Sequence, residues 1–183
     1  RADTQPLRLA VQSIVPFLRP GHLVILRTTV PIGTTRNLVK PLLEEGELRA
    51  GKDFGLAFAP ERTVEGNAIN ELRTLPQIVG GINEASSKRV GDIFGRLTPA
   101  IVYVPSLEHA EMIKLLDNSY RDVMFAYANE IARCCERMGL NAFEVIKAAN
   151  LDYPRNRIPS PSPGVGGAGL TKDPYILLES ASS

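Results

Sequence analysis

The chain has 183 residues, of which 44% are hydrophobic and 22% are charged. Lysine and arginine number 21 against 20 aspartates and glutamates, and like charges form no long block, so a nucleic-acid partner is not expected. Because no apolar run approaches the roughly 20 residues of a membrane span and no signal segment is visible, we predict a soluble protein without membrane association.

The first half of the chain alternates short apolar segments with helical patterns. A helix is predicted from residue 4 to residue 18 and a strand from residue 22 to residue 27, followed by the polar loop Thr28–Thr35. The further predicted elements are helix 36–45, strand 54–59, strand 77–80, helix 84–97 and strand 100–104. Short apolar strands between helices are typical of a doubly wound α/β sheet. We predict part of a Rossmann-like parallel sheet over residues 1–105.

A long helix is predicted for residues 106–138, because Ser106 can cap it and no Gly or Pro interrupts it. At 1.5 Å per residue its length is roughly 50 Å, enough to connect two domains. A second helix, capped by Asn141, precedes a proline- and glycine-rich loop over residues 153–169. Loops of that size in compact proteins are usually functional or disordered. We therefore predict the start of an all-α central domain in residues 106–183.

The two cysteines, Cys134 and Cys135, are adjacent in the long helix, where neighbouring side chains splay apart and cannot easily bridge each other. With two histidines in the chain, a metal site is not expected either. This cysteine use predicts a reducing, cytoplasmic setting. The chain begins with Arg1 in place of Met and ends within a helical pattern over residues 177–183, so we expect it to be part of a longer protein.

Two polar clusters follow strand ends, the edge at which open α/β sheets bind ligands. Thr29, in the segment Thr28–Pro31, could hydrogen-bond a ligand or merely cap the next helix. Glu61, Arg62 and Glu65 could bind hydroxyls and a charged head group while one carboxylate moves a proton. A loop with three charges could equally be a solvated one.

A third cluster lies on the long helix, where Lys114, Asn118 and Arg121 recur at i, i+4 and i+7 and share one face. A lysine there could hold its charge near a developing alkoxide or lose a proton on burial, although an exposed helix face has the same pattern. A G-x-G-x-x-G turn that follows a predicted strand, with an acidic residue about 20 positions later, does not occur in the sequence. Gly164–Gly167 resembles a fragment of such a turn, but it follows a proline-rich loop and not a predicted strand.

Five motifs in order carry a family resemblance. They are Thr28-Thr-Val-Pro-x-Gly-Thr-Thr35, Pro60-Glu-Arg-x-x-Glu-Gly66, Ala110-Glu-x-x-Lys-x-x-x-Asn-x-Tyr-Arg-Asp-Val123, Ala128-Asn-Glu-Ile-Ala132 and Pro163-Gly-Val-Gly-Gly-x-x-x-x-Lys-Asp-Pro-Tyr175. Together they resemble the UDP-glucose/GDP-mannose dehydrogenases. The third, fourth and fifth motifs are most similar to members that act on UDP-N-acetylmannosamine or UDP-N-acetylglucosamine. The resemblance implies a two-step, NAD-dependent oxidation of the C6 hydroxyl of a UDP-sugar to a carboxylate.

The resemblance also implies roles for single residues. The NAD contacts would be Thr29, Glu65 and Lys172. The sugar-nucleotide contacts would be Glu61, Arg62, Lys114, Asn118, Arg121, Arg155 and Gly166. The catalytic set would be Lys114, Glu61, Asp173, Asn118 and the position of Gly169. In that set Lys114 would steady the oxyanion or act as the acid/base, and Asp173 would help to activate the hydrolytic water.

The sequence departs from the family pattern at Gly169, where the family has a cysteine whose thiolate traps the intermediate aldehyde. Glycine supplies no nucleophile, and Cys134 and Cys135 belong to the long helix. Three alternatives follow: a substitution that disables the site, an oxidation through the hydrated aldehyde with Glu61 or Asp173 as base, or a non-catalytic module that binds nucleotide sugar or dimerises. A related β-hydroxyacid dehydrogenase would leave the second and fifth motifs unexplained.

Two expectations concern the assembled protein. Thr29, Glu61, Lys114 and Asp173 are expected to converge on one pocket that holds a sugar beside a nicotinamide ring. The long helix, residues 106–138, is expected to form the interface of a homodimer.

Overall fold

The computed structural model describes residues 2–167 and 169–181. Its helices and strands are, in chain order, α1 (Gln5–Ile14), β1 (Leu23–Leu26), α2 (Lys40–Leu43), β2 (Gly55–Phe58), α3 (Ala68–Thr74), β3 (Gln77–Gly81), α4 (Glu84–Phe94), β4 (Ile101–Tyr103), α5 (Leu107–Arg137), α6 (Ala142–Asn150) and α7 (Asp173–Ala181). A 3₁₀ turn, Val15–Phe17, follows α1, and a π-helical turn, Thr35–Val39, leads into α2. The helical pattern predicted for residues 177–183 is helical to Ala181, and residues 182 and 183 lie outside the described part.

The chain divides into two compact units, one formed by Arg1–Leu115 with Ile176–Ser183 and the other by Leu116–Tyr175. The first unit contains the sheet. The predicted division into a Rossmann-like domain, residues 1–105, and a central helical domain, residues 106–183, stays a prediction.

The sheet has the order β1-β2-β3-β4 and confirms the α/β class. β1 pairs with β2 in parallel, as does β3 with β4, whereas β2 and β3 are antiparallel. The expectation of a parallel sheet is therefore wrong at this one pairing. A parallel connection needs a crossover that packs on the sheet, usually a helix. The helix between β2 and β3 is α3, which buries none of its seven residues, and the chain returns in the opposite direction.

Both faces of the sheet are covered, because successive side chains of β2 point to opposite faces and pack in different apolar clusters. Leu56 and Phe58 belong to one apolar cluster, with α1 and α2, and are fully buried. Ala57 belongs to a second cluster, with Val90 and Phe94 of α4. Each fully buried side chain of Leu or Phe size contributes about 1.5–3 kcal/mol. This two-sided burial explains why β2 is continuously apolar in sequence.

The helix predicted for residues 84–97 is confirmed as α4 up to Phe94, and only some of the apolar side chains in this range are buried. Val90 and Phe94 are buried, but Ile93 and Leu97 are 48% and 47% exposed. The helix ends at Phe94, so Leu97 no longer follows the helical spacing.

The long helix is confirmed as α5, with 31 residues and a length of about 46 Å. Its start packs closely on β3, because a Cβ atom at Gly80 would lie 2.2 Å from the carbonyl oxygen of Ser106. Asn141 caps α6 as predicted, since its side chain accepts hydrogen bonds from the N–H groups of Phe143 and Glu144. None of the helices in the described ranges is both long and apolar enough to cross a membrane.

Candidate active site

In the first unit the ends of β1 and β2 are joined by an ion pair that the sequence did not indicate. Arg27 follows β1, and its Nη2 lies 2.6 Å from Oε2 of Glu61, which follows β2. The guanidinium also donates to Gln77 at 3.4 Å and stacks 4.7 Å from the ring centroid of Phe94. Glu61 Oε1 accepts a hydrogen bond of 2.8 Å from the N–H of Thr63. Glu61 is thus held by both of its oxygens.

These contacts decide the charge of Glu61. Burial alone would raise the pKa of this carboxyl, but the hydrogen bonds from Arg27 and Thr63 outweigh burial and lower the pKa to about 2. A carboxylate with that pKa is a weak proton acceptor at neutral pH. To act as a base, Glu61 would first have to leave Arg27.

The loop Thr28–Thr35 is held by a residue to which the sequence assigned no role. Glu111 of α5 is 1% exposed, and its Oε2 accepts from the N–H of Gly33 at 2.5 Å. Its Oε1 accepts from the N–H of Thr35 at 2.8 Å and from Thr35 Oγ1 at 2.6 Å. Leaving one such buried donor unpaired costs about 1–3 kcal/mol. Glu111 therefore replaces the side-chain cap that the helix beginning at Thr35 lacks.

Burial raises the pKa of Glu111, with a smaller contribution from the charge of Glu108, while the hydrogen bonds from Thr35 and Gly33 oppose the shift. A signal for this residue was present in the sequence. Glu111 lies four residues after Leu107 and four before Leu115, both fully buried, and so occupies the apolar face of α5. A carboxylate at such a position needs buried partners.

In the second unit the structure brings three predicted site residues, Asn118, Gly169 and Lys172, into contact with a fourth, Asp173. Asp173 is fully buried at the start of α7, and its Oδ2 accepts a hydrogen bond of 2.6 Å from Nδ2 of Asn118 on α5. Its Oδ1 lies 2.9 Å from Nζ of the partly exposed Lys172. The N–H of Asp173 donates to the carbonyl oxygen of Gly169 at 2.9 Å. Asn118, Gly169 and Asp173 thus form one cluster.

Gly169 faces the two polar members of this cluster. A Cβ atom built on Gly169 would lie 3.1 Å from Nδ2 of Asn118 and 3.8 Å from Oδ2 of Asp173. A side chain at this position would therefore point at the amide and the carboxylate. The position has room for a small side chain if Asn118 shifts by a few tenths of an ångström.

The other predicted residues lie as follows. Lys114 is half-buried on α5, and Arg121 is exposed on the same helix. Arg62 donates to the carbonyl oxygen of Pro76 at 2.7 Å. Arg155 donates to the hydroxyl of Tyr153 at 2.8 Å and stacks 4.5 Å from its ring centroid.

Two more predicted contacts, Glu65 and Gly166, are exposed loop residues, and Thr29 is half-buried after β1. Their convergence with Lys114, Glu61 and Asp173 on one pocket stays a prediction.

The described residues suit part of a dinucleotide. A hydroxyl at Thr29, beyond the carboxyl end of β1, is placed where α/β sheets bind such ligands. At the N-terminal end of the helix that begins at Thr35, the N–H groups of Gly33 and Thr35 donate to the Glu111 carboxylate. Whether Thr29 contacts the nicotinamide side of NAD stays a prediction. Within the described ranges, no three His, Cys, Asp or Glu side chains are grouped to hold a metal ion.

Two family models match nearly all of the chain. Residues 1–98 match the NAD binding domain of the UDP-glucose/GDP-mannose dehydrogenase family, and residues 108–183 match the central domain of the same family.

Individual relatives agree with this match. The chain is 36% identical over 183 residues to UDP-N-acetyl-D-mannosamine dehydrogenase of Methanocaldococcus jannaschii, covering all of this chain and 41% of that protein. The solved structure of UDP-D-ManNAc dehydrogenase from Pyrococcus horikoshii matches 99% of this chain and 43% of its own, with 37% identity and a TM-score of 0.93. GDP-mannose dehydrogenase from Pseudomonas aeruginosa matches 98% of this chain and 43% of its own, with 28% identity and a TM-score of 0.76. The chain spans about two fifths of the length of the curated relatives that it matches.

Proposed function

Because the chain belongs to the UDP-glucose/GDP-mannose dehydrogenase family, we propose that it is part of an NAD-dependent enzyme that oxidises the C6 hydroxyl of a UDP-sugar. The observation that carries the proposal is the cluster of Asn118, Asp173 and Gly169, whose three members come from two of the five family motifs. UDP-N-acetylmannosamine is the first substrate to test, since it is the substrate named for the relatives at 34–37% identity.

The residues of the first unit receive binding roles in this proposal. Thr29 and Glu65 contact NAD, which accepts the hydride from C6 when it is bound. Glu61 and Arg62 contact the sugar nucleotide. Because Arg27 keeps Glu61 ionised, Glu61 acts in the resting site as a hydrogen-bond acceptor for sugar hydroxyls.

The proton steps are assigned to the α5 face and to the cluster. Lys114 steadies the oxyanion that develops at C6 or, in its uncharged form, accepts the proton that the C6 hydroxyl loses. Asn118, with Arg121 and Arg155, binds the substrate, and Lys172 and Gly166 retain the contacts implied by their motifs. Asp173 takes a proton from the water that adds to the C6 aldehyde.

The second oxidation is the step that Gly169 affects. With a thiol at this position, the aldehyde would be held as a thiohemiacetal, which would become a thioester by giving a hydride to a second NAD; water would then cleave the thioester. Without a thiol, oxidation beyond the aldehyde would need water to add to the carbonyl group, Asp173 to accept the released proton and a second NAD to accept the hydride from the hydrate. The second candidate function, a non-catalytic module that binds nucleotide sugar, is favoured by this same observation, because Gly169 carries no nucleophile.

The test is NADH formation by the full-length protein with NAD and UDP-N-acetylmannosamine. We expect Gly169→Cys to form two NADH per sugar, because the new thiol faces Asn118 and Asp173. Gly169→Ala is the matched control, since it adds the Cβ atom without sulfur and should not gain the second oxidation. Tight sugar-nucleotide binding with no NADH from the parent or from Gly169→Cys would support the binding module instead.

We also propose a homodimer through α5. Four exposed apolar side chains recur on this helix at i, i+4, i+7 and i+11, namely Leu116, Tyr120, Val123 and Tyr127. An unpaired stripe of this kind is typical of a protein interface. Light scattering should give twice the chain mass for the full-length parent, and Val123→Glu should shift it toward the monomer. A monomeric parent would contradict the interface.

A further inference from the structure

Glu111 connects two parts of the first unit that carry predicted site residues. We propose that Glu111 is a positioning residue of the dehydrogenase site: it holds the Thr28–Thr35 loop on α5 and so keeps Thr29 in place for the nicotinamide cofactor. This inference rests on the function proposed above. Glu111 is the second residue of the third family motif, but the resemblance gave it no role.

Both oxygens of Glu111 accept hydrogen bonds from the Thr28–Thr35 loop. All three donors on Glu111 come from the end of one loop: the N–H of Gly33, the N–H of Thr35 and the Thr35 hydroxyl. Thr35 is fully buried and Glu111 is 1% exposed, so water cannot replace these bonds. Loss of the carboxylate therefore removes the buried bonds that hold the end of this loop on α5.

The second support is the backbone of the loop itself. Gly33 has a φ of +85°, a left-handed conformation that other residues adopt rarely. A Cβ at this position would lie 2.9 Å from Nδ2 of Asn37. In this conformation the Gly33 N–H donates to Glu111, as does the Thr35 N–H two residues later. A side chain at Gly33 would therefore disturb the backbone that supplies one of the three donors to Glu111.

The third support is the place of Glu111 in the sequence. It precedes Lys114 by three residues, and so lies about one turn away on the same helix. Gly33 follows Thr29 by four residues. The Glu111 bonds therefore connect the loop that carries the predicted cofactor contact to the turn of α5 that carries the predicted oxyanion-binding lysine.

The structure offers a matched control between the same two elements. Arg36, one residue after Thr35, pairs with Glu108, three residues before Glu111, with an Nε–Oε1 distance of 2.5 Å. The two side chains are 42% and 30% exposed, so water can replace this pair. If any contact between loop and helix sufficed, Glu108→Gln and Glu111→Gln would have the same effect.

The experiment measures ligand binding by the full-length protein, by fluorescence titration with NADH and by calorimetric titration with UDP. Glu111→Gln keeps the size of the side chain but places an amide N–H₂ against one of the loop donors. We expect its Kd for NADH to rise about tenfold, because the free energy of one misaligned hydrogen bond corresponds to a change of about that size in a dissociation constant. Its Kd for UDP should stay within about twofold of the parent, because the UDP contacts are assigned to other residues.

A second, milder variant keeps the proposal testable if Glu111→Gln does not fold. Thr35→Val is nearly isosteric and removes only the hydroxyl bond to Glu111. Its Kd for NADH should rise about threefold, and Glu108→Gln should leave the Kd unchanged.

Four results would overturn the inference. The first two are a Kd for NADH equal to that of the parent in Glu111→Gln or in Thr35→Val. The third is an equal rise in the Kd for NADH and the Kd for UDP in Glu111→Gln. The fourth is an equal change in the Kd for NADH in Glu108→Gln and Glu111→Gln. A parent protein that binds UDP but no NADH would instead contradict the proposed function, and the inference with it.

Discussion

Glu61 in the first unit and Asp173 in the second are both predicted to act near the reacting carbon, and their surroundings differ. The side chain of Glu61 is 44% exposed and pairs with a guanidinium. Asp173 is fully buried and is bound by an amide and an ammonium group. A partly exposed pair can exchange its partner for a ligand at small cost, since water screens the charges. A buried carboxylate is also part of the framework, so its removal changes both structure and chemistry.

The largest expected effect is at the buried carboxylate. Asp173→Ala removes the acceptor of the Asn118 amide and leaves a cavity, so we expect the free energy of unfolding to fall by about 3 kcal/mol. Urea unfolding of the full-length protein measures this. Lys172→Ala is the control, because its ammonium is partly exposed, and it should cost at most about 1 kcal/mol. Equal costs for the two variants would mean that Asp173 is not held by the buried amide.

The next effect compares a packed glycine of the first unit with an open one of the second. Gly80→Ala would force its Cβ to within 2.2 Å of the Ser106 carbonyl oxygen, so we expect a loss of about 1–3 kcal/mol. Gly164→Ala meets no atom within 4 Å and should stay within about 0.5 kcal/mol of the parent. Thermal unfolding of both variants checks this. A harmless Gly80→Ala would contradict the close approach of α5 to β3.

The smallest effect concerns the pH dependence contributed by Glu61. Its folded-state pKa is lowered from 4.5 to about 2, so the stabilisation is present above pH 4.5 and is lost as the pH falls toward 2. Since solvent screens the pair, we expect about 1 kcal/mol or less. Arg27→Met, which keeps an apolar stem over Phe94, should remove this part of the pH dependence in urea unfolding. Glu108→Gln changes a different ion pair and should retain the pH dependence contributed by Glu61. A pH profile of Arg27→Met equal to that of the parent would show that Arg27 does not lower the pKa of Glu61.

Much of the fold could be predicted from sequence because it follows local rules. The α5 helix lacks Gly and Pro, β2 is continuously apolar, and Asn141 has the side chain that a helix cap requires. The antiparallel pairing of β2 with β3 could not be predicted in this way. It depends on whether α3 packs on the sheet, and residues 68–74 carry no signal that excludes such packing.

In the candidate site, too, the features that follow local sequence rules could be predicted and the contacts between distant residues could not. Lys114, Asn118 and Arg121 could be placed on one helix by spacing alone, and the departure at Gly169 is visible in the motif. The pairing of Asn118 with Asp173 could not, because 55 residues separate them. The same holds for Glu111 and Thr35, which are 76 residues apart.

By itself the amino-acid sequence determined the α/β class, the family resemblance and the residue types available for chemistry, since each depends on composition, periodicity or motif order. The tertiary structure alone decided which charges are paired and which are buried. Arg27 is an ordinary strand-end residue in the sequence, yet in the fold it lowers the pKa of Glu61 to about 2. Electrostatic interactions depend on distance and dielectric environment, and both are established only when segments far apart in the chain come into contact.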